Sequence, residues 1–90
     1  MDELMPVFIE VIPETLKFGL LYISKTFGIS CHLCPCGCGE PVYLTFPEID
    51  TKHGWNMTEQ EGKISFTPSV GNTFKCRSHY YITDNKIIFV

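Results

Sequence analysis

Four of the five cysteines of this chain lie within eight residues, at positions 31, 34, 36 and 38, and the fifth is Cys76. Three of the four alternate with Pro35 and Gly37, which scattered core cysteines do not explain. Disulfides fit poorly as well, because the number of cysteines is odd and Cys-x-Cys neighbours are badly placed for bridging. Thiols at this density favour a bound transition metal.

A second group of metal-ligating residues follows near the C-terminus. Cys76 and His79 have a spacing that lets both side chains turn toward one ion, and structural zinc sites typically join two short groups that are distant in sequence. We therefore predict a zinc site, with iron as the alternative metal. The candidate ligands are Cys31, His32, Cys34, Cys36, Cys38, Cys76 and His79.

The choice among these candidates is open on one side of the site. Cys76 and His79 are expected to bind because they have no local substitutes. Cys36 and Cys38, next to glycines, are favoured on the other side, followed by Cys34. The ligands that we predict are Cys34, Cys36, Cys38, Cys76 and His79, from which four are required.

The glycines and the other histidines near these candidate ligands also have predicted roles. Gly37 and Gly39 allow the positive φ that lets backbone amides point at thiolate sulfurs. His32 is predicted either to donate a hydrogen bond to one of the metal ligands or to lie at the surface. His53, in a polar loop beside Gly54, is expected to be exposed.

The elements that must position these residues are predicted to be short strands. Eight segments show alternation of apolar and polar residues or β-branched and aromatic clusters: 5–12, 18–24, 27–33, 41–46, 55–58, 63–67, 80–83 and 86–90. Pro68 is expected to end the sixth strand, and Asp84-Asn85 to form a hairpin turn. The predicted fold class is mainly β: a small zinc-stabilised antiparallel β domain, zinc-ribbon-like or a small β sandwich or barrel, with little or no helix.

Composition limits the classes of function. The length of ninety residues, with 44% hydrophobic and 19% charged residues, predicts one folded domain over 1–90. The core of so small a domain gives little net stability, so additional stabilisation, such as a bound metal, is expected. A net charge of −3 argues against nucleic-acid binding, which requires clustered Lys and Arg. No apolar run reaches the ~20 residues of a membrane span, and the acidic start does not suit a secretory signal, so we expect no membrane association and a cytoplasmic location.

Several motifs together resemble a known family. They are HLCPCGCG at 32–39, Trp55, ISFTPSVGN at 64–72 and CRSHYYI at 76–82. The chain is similar, from about residue 7 to residue 90, to small bacterial and phage-encoded metal-binding proteins of unknown function. The polar positions that recur there match His32, Cys34, Cys36, Cys38, Ser69, Cys76, Ser78 and His79, but not Cys31. Some relatives are encoded beside ubiquitin-like proteins and their activating-type enzymes, which implies protein partners in a bacterial conjugation pathway.

Two interpretations of the function follow. The favoured one is a structural-zinc domain that acts as a non-catalytic interaction or adaptor module, in which Tyr80, Tyr81 or Trp55 contacts a protein partner. The alternative is a hydrolase that removes conjugates. It would use either a zinc ion with Glu40 as base, or a serine–histidine pair. That pair would combine Ser69 or Ser78 with His32 or His79.

Overall fold

The computed structural model describes residues 3–71 and 77–90, in which all regular secondary structure is β. The strands are β1 (Met5–Phe8), β2 (Leu20–Ser24), β3 (Ile29–Leu33), β4 (Pro41–Thr45), β5 (Asn56–Gln60), β6 (Lys63–Gly71), β7 (His79–Thr83) and β8 (Lys86–Phe89). Each overlaps a segment predicted from the sequence, and the β fold class is confirmed. No helix in these two ranges has the length and apolarity needed to cross a membrane.

The strands form two four-stranded sheets, in the orders β1-β2-β3-β4 and β5-β6-β7-β8. The second sheet is antiparallel throughout, whereas β1 and β2 of the first sheet run parallel. Parallel neighbours require a crossover connection, which here is supplied by residues 9–19. The first sheet is therefore mixed, and the antiparallel arrangement predicted for the whole fold holds for the second sheet.

One core lies between the two sheets, so the fold is a small β sandwich. Buried and exposed residues alternate along β4 and β7, as the two-residue period of a strand requires, whereas most residues of β2 and β3 are buried on both faces. The buried apolar cluster is made of Leu4, Leu21, Ile23, Cys34, Val42, Leu44, Phe46, Ile64, Phe66, Val70, Tyr80, Ile82 and Ile87. Cys34 belongs to this cluster, which ties the cysteine loop directly to the packing of the core.

The hairpin of β7 and β8 sets the register of the second sheet's edge. Asp84 and Asn85 both have positive φ, of 50° and 69°, as a two-residue turn with the twist of the strands requires. This confirms the predicted turn. The hairpin pairs Tyr81 with Ile88 and Ile82 with Ile87.

The predicted end of β6 at Pro68 is wrong. The strand continues to Gly71, with an irregularity between Phe66 and Val70. Phe66 pairs with Ile82 and Val70 with Tyr80, so three residues of β6 face a single residue of β7. A bulge leaves its extra residues out of the ladder, and a proline, which has no N–H to donate, is tolerated there.

Candidate metal centre and serine–histidine pair

The loop between β3 and β4 brings three cysteine sulfurs together. The sulfurs of Cys34, Cys36 and Cys38 all lie within 4.8 Å of one another, and those of Cys34 and Cys36 are 3.4 Å apart. Sulfur ligands of a tetrahedral zinc ion are about 3.8 Å apart, given Zn–S bonds of about 2.3 Å. The three thiols therefore fit three corners of such a site.

Two backbone hydrogen bonds and two glycines shape this loop. The N–H of Cys34 donates to the carbonyl of Glu40 at 2.7 Å, and the N–H of Gly37 donates to the carbonyl of Cys34 at 3.1 Å. Gly37 and Gly39 have φ of 93° and 84°, as predicted, and a Cβ at either position would meet no atom within 4 Å. The backbone conformation, rather than a lack of space, is what favours glycine at both positions.

The three thiols differ in their electrostatic surroundings. Burial raises the pKa of Cys34, which is fully buried, whereas Cys36 and Cys38 are exposed. A hydrogen bond from the Ser78 hydroxyl is the largest cause that lowers the pKa of Cys36 to about 6, followed by the contact with Cys34. Thiolates are the form that binds metal, so Cys36 is prepared for a cation at neutral pH and Cys34 would lose its proton on binding.

Ser78 connects the cysteine loop to the second sheet. Its hydroxyl lies 3.6 Å from the sulfur of Cys34, and its side chain is buried. Cys76, the predicted ligand two residues before Ser78, lies outside the described residues. Its role as a ligand therefore stays a prediction.

His79, the other predicted ligand of the second group, has a different partner. Its Nε2 lies 2.7 Å from the Oγ of Ser69, and this hydrogen bond is exposed to solvent. Among the residues described, the cluster of ligand atoms that could share one ion contains three cysteines and not this imidazole. Ligation by His79 also stays a prediction, and it would compete with the bond to Ser69.

A hydroxyl that shares a hydrogen bond with an imidazole is the arrangement of a serine nucleophile and its general base. The usual reach is about 2.6–3.2 Å, and the 2.7 Å between Ser69 and His79 falls within it. Of the four serine–histidine combinations considered in the sequence, this is the one that the structure brings into contact. Within residues 3–71 and 77–90, no carboxylate lies within salt-bridge distance of His79, so the pair there is a dyad.

The bulge in β6 presents Ser69 to His79. Val70 pairs with Tyr80 and Gly71 with His79, which makes Ser69 a diagonal neighbour of His79 across the two strands. Diagonal neighbours are within reach of long side chains such as imidazole. A Cβ at Gly71 would lie 3.9 Å from the His79 ring, which is an ordinary van der Waals contact.

Trp55 holds the backbone of Ser69. Its indole N–H donates to the carbonyl of Ser69 at 3.3 Å, while its ring packs against the core. The sequence suggested core packing or a partner contact for this residue, and the hydrogen bond to the serine backbone was missed. This contact depends on how β6 pairs with its neighbouring strands, which the local sequence pattern does not predict.

His32 lies in the interior rather than at the surface. Its Nε2 shares a hydrogen bond of 2.7 Å with the hydroxyl of Tyr80, which crosses the core between the two sheets. Burial lowers the pKa of His32 to about 4, so the ring is neutral at physiological pH. His53 is exposed, as predicted, and lies 3.7 Å from the carboxylate of Asp50.

Comparison with known protein families finds a match over most of the chain. The family described as "Bacterial ubiquitination-like system serine protease (BubE)" matches residues 8–90. No curated protein and no solved structure matches the chain. The match covers nearly the whole chain, including the cysteine loop, Ser69 and His79, and the chain therefore belongs to the BubE family of bacterial ubiquitination-like systems.

Proposed function

We propose that this chain is a serine peptidase of a bacterial ubiquitination-like system, with Ser69 as nucleophile and His79 as general base. The observation that carries the proposal is the exposed hydrogen bond of 2.7 Å between Ser69 Oγ and His79 Nε2. The description of the family as a serine protease supports it independently. This is the hydrolase interpretation that the sequence left as the alternative to an adaptor.

The chemistry follows from the pair. His79 Nε2 takes the proton of Ser69 as Oγ attacks the carbonyl carbon of the substrate, and the imidazolium then gives that proton to the leaving amine. The carbon–nitrogen bond breaks and an ester to Ser69 remains. His79 next removes a proton from a water molecule that attacks this ester, which releases the carboxylate and restores the serine hydroxyl.

The substrate that we propose is the bond at the C-terminus of a ubiquitin-like modifier. The family description names a ubiquitination-like system and a serine protease, and we infer that the bond cleaved joins the modifier to a C-terminal extension or to an amine of a target. An exposed pair on a sheet surface can accept a chain that approaches from outside. A cleft that encloses a small molecule is not required for such a substrate.

The three cysteines hold a structural metal in this proposal, with Cys76 as the fourth ligand and zinc as the metal. The three cysteine sulfurs support the proposed metal site, since sulfur ligands within 4.8 Å of one another suit a soft ion. When bound, the ion would fix the loop against Ser78, next to His79 in the chain. His79 is then left to act on Ser69 instead of binding the metal.

Cleavage of a modifier with a C-terminal extension tests the proposal. We expect the wild type to release the extension and Ser69→Ala to lose at least a thousandfold in kcat. Ser65→Ala is the matched control, because Ser65 lies four residues earlier on the same face of β6 and its hydroxyl accepts a hydrogen bond from the Asp84 N–H. Equal cleavage by Ser69→Ala would overturn the proposal. Tight binding of the modifier without cleavage would favour the adaptor interpretation instead.

A further inference from the structure

An apolar patch adjoins the serine–histidine pair on the outer face of the second sheet. It consists of Tyr81, Ile88 and Val90, whose exposed fractions are 45%, 50% and 76%. Tyr81 follows His79 by two residues on β7, so both side chains point outward about 6.6 Å apart along the strand. Ile88 pairs directly with Tyr81 across the two strands.

Val90 completes the patch beside the base. Its N–H donates to the carbonyl of His79 at 2.9 Å, which continues the β7–β8 ladder by one residue. Ile88 and Val90 therefore lie on the side of β7 away from Ser69, whereas Tyr81, on β7 itself, is the residue that the bulge with Ser69 faces.

The rest of this face is polar. The outward residues of the second sheet outside the patch and the pair include Asn56, Thr58, Lys63, Ser65, Thr67, Thr83 and Lys86. Exposed apolar side chains that occur singly need no explanation, but three at neighbouring positions of one sheet face, beside the Ser69–His79 pair, indicate a binding surface. The patch is small enough for one or two side chains of an extended peptide.

We propose that the patch of Tyr81, Ile88 and Val90 is a specificity subsite that accepts a large apolar side chain of the substrate close to the bond that Ser69 attacks. This assignment rests on the proposed peptidase function. An apolar residue there loses water on both surfaces, whereas an acidic or amide side chain is desolvated without a partner. Substrates with a large aliphatic or aromatic residue next to the cleavage site should therefore be preferred.

A peptide library tests this assignment on the full chain. Mass spectrometry of a mixture of synthetic peptides identifies the position next to the cleavage site that affects the rate most. Two fluorogenic peptides that differ only there, with Leu or with Asp, then give a ratio of kcat/KM. We expect the wild type to prefer Leu by tenfold or more, a discrimination typical of an apolar pocket.

Ile88→Thr is the informative variant, because threonine keeps the β-branched shape that suits a strand while removing apolar surface. We expect its Leu-to-Asp ratio to fall about fivefold with little change for the Asp peptide. Lys86→Ala, two residues earlier on the same face of β8, is the control and should keep the wild-type ratio.

The outcomes separate this assignment from the function on which it rests. Cleavage that depends on Ser69, but without a preference for Leu or with an unchanged ratio in Ile88→Thr, overturns the subsite alone. If no peptide in the library is cleaved in a way that depends on Ser69, both the subsite and the peptidase function are overturned.

Discussion

The cysteine loop and the Ser69–His79 pair use consecutive residues of the chain in opposite ways. Ser78 is buried and its hydroxyl lies 3.6 Å from Cys34, whereas the next residue, His79, is exposed and bonded to Ser69. Successive side chains of an extended chain point to opposite sides. One step along the backbone therefore separates a centre suited to holding the fold together from a pair suited to attacking a substrate.

Substitutions in the two regions should therefore have different consequences. Substitutions that prevent the cysteine loop from binding metal should unfold or destabilise the start of β7, and so affect catalysis indirectly. Loss of the pair should abolish catalysis and leave the fold and the metal in place. The effects should decrease from removal of the metal, through loss of His79, to the loss of the Trp55 hydrogen bond.

Removal of the metal should have the largest effect. Ligation in structural zinc sites supplies on the order of 10 kcal/mol of apparent folding free energy, so a strong chelator or Cys36→Ser should lower the thermal midpoint drastically or prevent folding. Elemental analysis beside a thermal melt measures this. Cys31→Ala is the control, because Cys31 is buried but lies outside the cluster, and it should keep the metal. Unchanged metal content and melting of Cys36→Ser would refute the metal centre.

His79→Gln should abolish activity without loss of metal. A general base contributes typically 10²–10⁴-fold, and we expect about a thousandfold decrease in kcat because glutamine cannot take the proton of Ser69. Metal content and the melting curve should match the wild type. A variant that loses the ion would show instead that His79 is a ligand, as the sequence predicted.

Acid should destabilise the fold through His32. Burial lowers its pKa to about 4, against 6.5 in the unfolded chain, so the unfolded state takes up a proton first as the pH falls. Stability is then full above pH 6.5 and decreases from there toward pH 4, by up to about 3 kcal/mol.

Denaturant unfolding between pH 8 and pH 4.5, roughly the range that brackets this titration, measures the effect. His32→Gln, which keeps a donor toward Tyr80, isolates it from the acid sensitivity of the thiolates. The difference between wild type and variant should change across this range. Parallel pH profiles for the two proteins would show that His32 does not titrate in this way.

Trp55→Phe should have the smallest effect. The aromatic ring stays against the core, but the hydrogen bond of 3.3 Å to the Ser69 carbonyl is lost. One such bond is worth about 1 kcal/mol, so kcat should fall roughly fivefold with KM unchanged. Steady-state kinetics on the modifier substrate decide this. An unchanged kcat would show that Ser69 is positioned without the indole.

Local signals in the sequence predicted most of the fold. Strand segments, the Asp84-Asn85 turn and the positive φ of Gly37 and Gly39 depend on neighbouring residues, and the structure confirms each of them. The clustering of Cys34, Cys36 and Cys38 was also predictable, because a short loop cannot separate them widely.

Long-range register was not predictable in the same way. The bulge at Pro68 depends on how β6 pairs with β7, and it is this pairing that places Ser69 beside His79. The local Cys-x-x-His spacing favoured His79 as a metal ligand, and the pair of Ser69 with His79 was one of four serine–histidine combinations that the sequence pattern left open. The burial of His32 likewise depends on Tyr80, which lies on the other sheet.

Labelling with a fluorophosphonate, which reacts with activated serines, tests the central claim most directly. Mass spectrometry of the labelled chain should find one adduct, on Ser69, and His79→Gln should lose it while its metal content and melting stay those of the wild type. A chain that remains unlabelled, an adduct on Ser65 or Ser78 in place of Ser69, or equal labelling in His79→Gln would contradict the assignment of Ser69 and His79 as nucleophile and base.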